Sequence, residues 1–172
     1  MKLEYILMGA VFVVLFIAVE INYCINKKKG RNGEDKRRIQ KIAAEMLDNA
    51  SFYTVVYANY QTGGPMITRY ASYIVAFRPM ELFVIPIQFS EKEIIPGKGF
   101  FLDQKNVGGV DFSEKPWITF LGKNGERLCT FGVFADNTSC SQFEPLNIQQ
   151  KEEVERFQAF LRQFAKTLSA GI

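Results

Sequence analysis

Side chains that could carry covalent or proton-transfer chemistry are few in this sequence. The 172 residues include no histidine, which removes the commonest proton shuttle, the usual activator of a serine or cysteine nucleophile and the commonest metal ligand. Glu91 and Glu93 flank Lys92 and indicate a solvated loop rather than a general acid–base pair. The sequence therefore favours binding or structural work over catalysis, and it implies no metal and no cofactor.

The three cysteines show neither the C-x-x-C spacing of zinc and redox sites nor a disulfide framework, which fits a reducing compartment. Cys129 alternates with Leu128 and Thr130 in a strand-like run and is expected to be a small core residue. Cys140 lies in a polar segment without a visible activator. Cys24 lies at the end of the apolar N-terminal run, where S-acylation of a membrane protein can occur.

One glycine-rich segment, Pro96-Gly-Lys-Gly99, has a composition that could cradle a phosphate. It lacks the spacing of known phosphate loops, and no helical pattern follows it. We expect a simple turn at this position.

The N-terminal apolar run determines where the rest of the chain lies. Residues Tyr5 to Val19 carry no charge, and extension to Ile25 gives 21 residues. As a helix these would reach about 31 Å, which matches a hydrocarbon core of roughly 30 Å. Glu20 is the single acidic residue of the run and lies near one end, where a charge is tolerated better than at the bilayer centre. The run predicts one transmembrane helix.

A cleaved signal peptide is the alternative for this run. No small-x-small cleavage site follows it, because the sequence there is Ile21-Asn-Tyr-Cys-Ile25. Basic residues that flank a membrane helix stay in the cytoplasm, and they cluster after the run rather than before it. We therefore predict an uncleaved single-pass anchor over residues 1–25 in the cell membrane, with the following domain in the cytoplasm.

The segment after the anchor is basic. Between Lys27 and Lys41 there are eight basic and two acidic residues, whereas the chain beyond Lys41 has twelve basic and fourteen acidic ones. That balance is a poor nucleic-acid surface, but a basic stripe beside a bilayer suits anionic lipid headgroups, unless it serves only to orient the anchor. The residues predicted to contact the membrane surface are Lys27, Lys28, Lys29, Arg31, Lys36, Arg37 and Arg38.

Residues 26–35 are polar, contain two glycines and are predicted to be a linker. A domain over residues 36–172 follows, which is a common size for a single domain. It opens with a helix whose apolar positions recur at helical spacing, and Asn49 is expected to end this helix. The apolar positions are Ile39, Ile42, Ala43, Met46 and Leu47.

The middle of the chain is rich in β-branched and aromatic residues, in short runs separated by turn residues, and predicts an antiparallel sheet. The expected strands are residues 52–60, 68–78, 81–88, 99–103, 106–112, 117–122 and 127–134. Asn124-Gly125 indicates a primed hairpin turn. Pro86 has no N–H to donate, so its strand is expected to be an edge strand or bulged.

A second amphipathic helix is expected at the C-terminus. Asn147 could cap its first turn together with Gln150. Its apolar stripe is expected to pack on the sheet, with a groove on a partner protein as the alternative. The stripe consists of Ile148, Val154, Phe157, Phe160, Leu161, Phe164 and Leu168.

The predicted order of one helix, about seven antiparallel strands and a C-terminal helix defines an α+β fold that resembles pleckstrin-homology-like domains. The stretch Ala76–Ile87 is similar in style to membrane-tethered bacterial members of that family. The resemblance implies two packed sheets that form a barrel with the helix at one end. Members that bind phosphoinositides place several basic residues around the first hairpin, whereas here Gln61–Arg69 contains one.

The sequence thus predicts a membrane-anchored cytoplasmic binding or scaffold domain that recognises a protein partner through a sheet edge or the C-terminal helix. A lipid sensor that uses the basic linker and the barrel is the alternative. An enzyme of unknown chemistry is the third hypothesis.

Overall fold

A computed structural model describes residues 33–63, 68–90, 93–137 and 146–170. These residues form an α+β fold of antiparallel sheets and two α-helices, as expected from the sequence. The predicted anchor over residues 1–25 lies outside the described residues. Within the described residues, no helix has the length and apolar character needed to cross a bilayer.

The first helix, α1, covers residues 33–46 of the described chain, so it includes residues 33–35 that the sequence pattern assigned to the linker. Asp35 is only 3% exposed, and its Oδ2 accepts a hydrogen bond from the Asn147 N–H at 2.9 Å. The prediction that Asn49 ends the helix was wrong, because helical residues stop at Met46. Asn49 instead adopts a left-handed conformation (φ 59°), which asparagine tolerates, before a 3₁₀ turn at Ala50–Phe52.

Five strands form the first sheet, and every pair is antiparallel. The sheet order is β1-β2-β3-β4, and β5 also pairs with β3. The strands are β1 (Thr54–Gly63), β2 (Thr68–Arg78), β3 (Glu81–Ser90), β4 (Glu93–Pro96) and β5 (Phe100–Asp103). The strand β4 was not predicted because it is short and ends at the proline and glycines of Pro96–Gly99.

Pro86 lies in a central strand and not in an edge strand, whereas the alternative expectation of a bulge agrees with the pairing, whose register shifts by one residue between β5 and β4. β5 pairs with β3 up to Val84, and β4 pairs with β3 from Ile87 onward. Pro86 therefore falls in the gap between these two partners, where its carbonyl accepts the Gly97 N–H at 2.7 Å. A strand residue directs its N and its carbonyl to the same side, so the missing N–H of Pro86 faces the interruption between β4 and β5, where no ladder partner needs it.

The Pro96–Gly99 segment is not the turn that the sequence predicted, because β4 and β5 run in the same direction along the same side of β3 and residues 97–99 only interrupt the pairing between them. Gly99 lies directly against the ring of Phe83, and a side-chain carbon at this position would overlap that ring. The glycine is explained by this close approach.

A second sheet contains β6 (Val107–Asp111), β7 (Ile118–Gly122) and β8 (Arg127–Phe131) in that order. The turn between β7 and β8 lies where Asn124-Gly125 placed it, but it is not a primed turn, since Asn124 does not have a positive φ. Gly125 N–H bonds to the Gly122 carbonyl at 3.0 Å, and Gly125 takes the left-handed conformation with φ 80°. This is a type I turn followed by a left-handed glycine, the usual form of a slightly longer hairpin loop.

The last helix, α2 (Lys151–Ala170), begins later than its sequence pattern suggested. Asn147 does not cap it, and Ile148 is not helical, because Ile148–Gln149 form strand β10, which pairs with β9 (Asp136–Asn137). The stripe from Val154 to Phe164 is buried as predicted.

Two apolar cores lie on opposite faces of the first sheet. The inner core fills the space between this sheet, the second sheet and α2, and includes Val56, Val75, Phe131 and the buried phenylalanines of α2. The outer core lies between the first sheet and α1, where Ile39, Ala43 and Leu47 pack against residues such as Ile74 and Ile85. Because successive strand side chains alternate between faces, both faces of this sheet are apolar. The helix α1 is therefore an integral layer of the fold.

Candidate functional site

The candidate site lies along the outer edge of β1, the edge that does not face β2. In this strand the even-numbered residues from Thr54 to Tyr60 direct their main-chain groups toward β2, and the odd-numbered residues direct theirs outward. The outward groups need other partners, because an unpaired N–H or carbonyl in a buried position is unfavourable.

At two of the outward residues, the main-chain N–H and carbonyl are hydrogen-bonded by residues that are distant in sequence. Asn59 exchanges two main-chain hydrogen bonds with Gly132, with N–O distances of 3.0 and 2.7 Å. Tyr57 is closed by the side chain of Gln150, which is 1% exposed: the Tyr57 N–H donates to Oε1 at 2.9 Å, and Nε2 donates to the Tyr57 carbonyl at 2.7 Å. Nε2 also donates to the Phe134 carbonyl at 3.0 Å. One glutamine thus takes the place of a neighbouring strand at this point.

Val55 is the next outward residue, and its main-chain N–H and carbonyl have no partner among the described residues. Its N–H and carbonyl point to the same side as those of Tyr57, because the two residues are two positions apart. No main-chain or side-chain group of the described residues pairs with either of them. The edge therefore offers one donor and one acceptor in strand geometry.

Val55 opens into a groove of about 520 Å³. We call this cavity the β1-edge groove; α1, the 3₁₀ turn, the start of β1 and the first two turns of α2 surround it. Its lining residues are Gln40, Ala44, Ala50, Ser51, Tyr53, Thr54, Val55, Glu153 and Arg156. The volume lies within the range of about 300–1,000 Å³ that is common for ligand clefts.

The charges of the β1-edge groove are not balanced. Glu153 is neutralised by Lys36, whose Nζ lies 2.9 Å from Oε1, and both side chains are about a quarter exposed. Arg156 is exposed and forms no ion pair with any described residue. The net charge that the groove presents is therefore positive, which favours a carboxylate or another anion beside Arg156.

A cluster of three polar side chains holds the start of β1 in place. The Tyr53 hydroxyl donates a hydrogen bond to Glu81, Arg78 Nε donates to the same carboxylate at 2.5 Å, and the guanidinium lies 4.8 Å above the Tyr53 ring. Burial, together with the bond to Glu81, raises the pKa of Tyr53 to about 12. Burial alone would raise the pKa of Glu81, but the hydrogen bonds from Tyr53 and Arg78 outweigh it and lower that pKa. Tyr53 is thus a fixed donor at neutral pH, and the cluster is structural.

The other chemistry-bearing side chains that the structure describes do not line the groove. Cys129 is buried in the inner core, as predicted, and this burial raises the pKa of its thiol to about 12, so the thiolate that reacts is scarce. Among the described residues, no three cysteine, aspartate or glutamate side chains come close enough together to hold a metal ion.

The residues predicted to contact a membrane surface fall into two groups. Lys27, Lys28, Lys29 and Arg31 lie outside the described residues. Lys36, Arg37 and Arg38 lie on α1: Lys36 is half-buried in its pair with Glu153, Arg37 is exposed, and the Arg38 Nη1 is 3.9 Å from Asp35 Oδ1. Of the three that the structure describes, it brings Lys36 to the rim of the β1-edge groove.

The groove residues Val55 and Arg156 were not singled out from the sequence. Nothing in the alternating pattern of β1 distinguishes an outward group that is closed from one that is open. That difference depends on Gln150, which is 93 residues from Tyr57 along the chain.

Comparisons of the chain with protein-family models, with curated proteins and with solved structures gave no match. The function of this chain therefore has to be argued from its own contacts and charges.

Proposed function

We propose that this chain is a binding domain held at the cytoplasmic face of a membrane, and that a protein partner docks at the β1-edge groove. The observation that carries the proposal is the main-chain pair of Val55, which no described residue engages, in a groove that also presents the guanidinium of Arg156, which forms no ion pair with a described residue. Sheet edges of this kind commonly recruit a partner, because main-chain groups offer directional hydrogen bonds to any extended chain.

Binding is favoured over catalysis because the groove presents the hydroxyls of Ser51 and Thr54 without a histidine to activate them. Tyr53 holds its proton up to a pKa of about 12, and Glu153 is engaged by Lys36. A general acid or base works best with a pKa near the operating pH. The groups that line the groove suit recognition of a carboxylate and of a main chain.

The membrane part of the proposal rests on the sequence of the N-terminal segment and is supported by the position of α1. The predicted anchor ends at Ile25, and α1 is already docked on the sheet at residue 33, with Asp35 bonded to Asn147. A connection this short holds the domain close to the bilayer. Arg37 and Lys41 on the exposed side of α1 would then lie near anionic headgroups, each worth about 1 kcal/mol at such a surface.

We also propose a pleckstrin-homology-like arrangement for the fold. Support comes from the sheet β1–β5, which packs against the sheet β6–β8 with α2 contributing Phe157, Phe160 and Phe164 to the shared core. The contact between Asn59 and Gly132 links the two sheets at one corner, as a partly closed barrel requires. The layer formed by α1 on the outer face is an addition to that arrangement.

A lipid sensor is the second candidate function, because the exposed basic residues of α1 continue the basic run that precedes them. To test this function, the full-length chain is held by its anchor in a nanodisc of neutral lipid and mixed with anionic vesicles. A lipid sensor captures the vesicles at low salt and loses them at high salt, because exposed charges are screened beyond about 10 Å at 0.1 M salt.

Site-specific crosslinking in the chain's own membrane tests the proposed function. A photo-crosslinking amino acid in place of Ala44 lies in the groove, and the same amino acid in place of Ala159 lies on an exposed position of α2 that does not line it. We expect one defined protein adduct from position 44 and none from position 159. Equal adducts from both positions, or none from either, would contradict a partner site in the groove.

A further inference from the structure

We infer that the β1-edge groove binds an extended peptide segment, which adds a short strand at Val55 and places an acidic side chain against Arg156. The inference rests on the proposed function, because that function supplies a protein partner for the groove and the inference names the chemistry of that partner. It requires neither the membrane anchor nor the resemblance of the fold to a known family.

The main-chain groups specify an extended chain. In an antiparallel pair, two facing residues exchange both of their hydrogen bonds, as Asn59 and Gly132 do on this same edge. Val55 carries the same pair of groups with the same orientation, two residue pairs away along the strand. A peptide in β conformation would continue along this edge the pattern that Gly132 and the Gln150 side chain begin.

Contacts on both sides limit the length of the added strand. Tyr57 is already occupied by Gln150, and the Tyr53 N–H bonds to the Ala50 carbonyl at 3.0 Å. One residue of the peptide can therefore form a complete two-bond pair. The rest of the binding must come from side chains that fill the space between α1 and α2, where Ala44 leaves room.

The charge of the groove selects the side chain that fills this space. Lys36 neutralises Glu153, so among the described residues that line the groove the charge left without an ion pair is the guanidinium of Arg156. Arginine binds a carboxylate through two parallel hydrogen bonds, which gives direction as well as attraction. An acidic residue in the peptide satisfies this group, whereas a basic residue is repelled by it.

Binding of synthetic peptides to the full-length chain in detergent tests this inference. Two pools of ten-residue peptides are compared, which are random except for a central glutamate in one and a central glutamine in the other. We expect the glutamate pool to bind about fivefold more tightly, the upper range for an ion pair that is partly exposed. Methylation of the main-chain nitrogen that faces Val55, in the tightest peptide, is expected to weaken binding at least about tenfold, since it removes a hydrogen bond and adds bulk.

Two variants, each with a matched control, locate the binding. Arg156→Gln is expected to abolish the preference for glutamate, whereas Arg162→Gln, on an exposed position of the same helix outside the groove, keeps it. Ala44→Phe is expected to abolish binding of both pools by filling the groove, whereas Ala159→Phe leaves it unchanged. All four positions are exposed, so the variants fold.

Three results would overturn the inference. They are equal binding of the two pools, binding that Ala44→Phe leaves intact, and self-association of the chain through the groove in place of peptide binding. A partner that is crosslinked at position 44 but displaced by neither pool would leave the proposed function standing while this inference fails. Conversely, peptide binding without any crosslinked protein would support the inference and contradict the proposed function.

Discussion

Replacement of Gln150 by leucine should destabilise the domain strongly, although Gln150 lies in the short connection between β10 and α2. The side chain closes the Tyr57 N–H, the Tyr57 carbonyl and the Phe134 carbonyl, at 2.9, 2.7 and 3.0 Å. The two Tyr57 groups lose these bonds at a cost of about 1–3 kcal/mol each, whereas the Phe134 carbonyl keeps its bond from Asn137 Nδ2 at 3.3 Å, and the apolar replacement regains part of the cost by burial. We expect a net loss of about 2–4 kcal/mol, which is a large share of the roughly 5–15 kcal/mol typical of a whole domain.

Denaturation by urea, followed through the fluorescence of Trp117, measures this loss in the full-length chain. Trp117 is the one tryptophan of the sequence, and its ring packs at 5.2 Å from that of Tyr60 and 5.7 Å from that of Phe134, beside the region that Gln150 holds. Gln158→Leu, at an exposed position of α2, is the control and should change the stability by less than about 0.5 kcal/mol.

A second variant, Gln150→Glu, separates the hydrogen bonds from the volume of the side chain. The introduced carboxyl can donate to a carbonyl only when it is protonated, and its burial against two carbonyl oxygens raises its pKa in the folded state. Its ionisation therefore destabilises the fold as the pH rises above the ordinary carboxyl pKa of about 4.3, and not below it. We expect Gln150→Glu to be closer to the parent at pH 4 than at pH 7. A pH-independent loss, or a loss below about 1 kcal/mol for Gln150→Leu, would refute the role assigned to this residue.

Three further measurements test other parts of the fold. Phe164→Ala should cost about 3–5 kcal/mol in urea denaturation because it empties a position in the inner core, whereas Phe52→Ala, at a residue that is 71% exposed, should cost less than about 0.5 kcal/mol. Met80→Gly should stabilise the chain by about 0.5–1 kcal/mol in the same assay because Met80 has φ 75°, and a lower midpoint would contradict this. Cys129 should resist alkylation at pH 8, because burial raises the pKa of its thiol to about 12 and the reactive thiolate appears only at higher pH. Peptide mass spectrometry measures the modification, and a rate as fast as that of an unfolded control would contradict the prediction.

Much of the strand pattern was predictable because it depends on local sequence. The strand β2 has the predicted bounds, and β7 differs from its prediction by one residue. Both have alternating or continuous apolar runs that end at clear turn residues. The apolar stripe of α2 was equally clear, since Phe157, Phe160 and Phe164 recur at helical spacing and all three are buried.

The errors of prediction lie where distant contacts override a local pattern. Asn147 and Gln150 have the spacing of a helix cap, but a strand pair with β9 and the open edge of β1 engage this segment instead. Pro86 was assigned to an edge strand or a bulge because a proline cannot join a ladder, and the irregular pairing between β4 and β5 provides a gap for it inside the sheet.

The candidate site could not be read from the sequence for a related reason. Val55 resembles any other valine in a strand, and Arg156 resembles any exposed arginine on a helix. They become a site only because Gln150 closes the edge at Tyr57 and no described residue closes it at Val55. Lys36 also has a role that charge counting did not predict, since its ion pair with Glu153 leaves Arg156 as the uncompensated charge.

Hydrogen exchange at the Val55 amide tests the central claim most directly. In the free full-length chain we expect the Val55 N–H to exchange much faster than the Tyr57 N–H, which is bonded to Gln150 and buried. Addition of the tightest acidic peptide should slow exchange at Val55 and leave Tyr57 unchanged. A Val55 amide that is already as protected as that of Tyr57 in the free chain, or that stays unprotected when the peptide is bound, would contradict an open strand edge as the binding site.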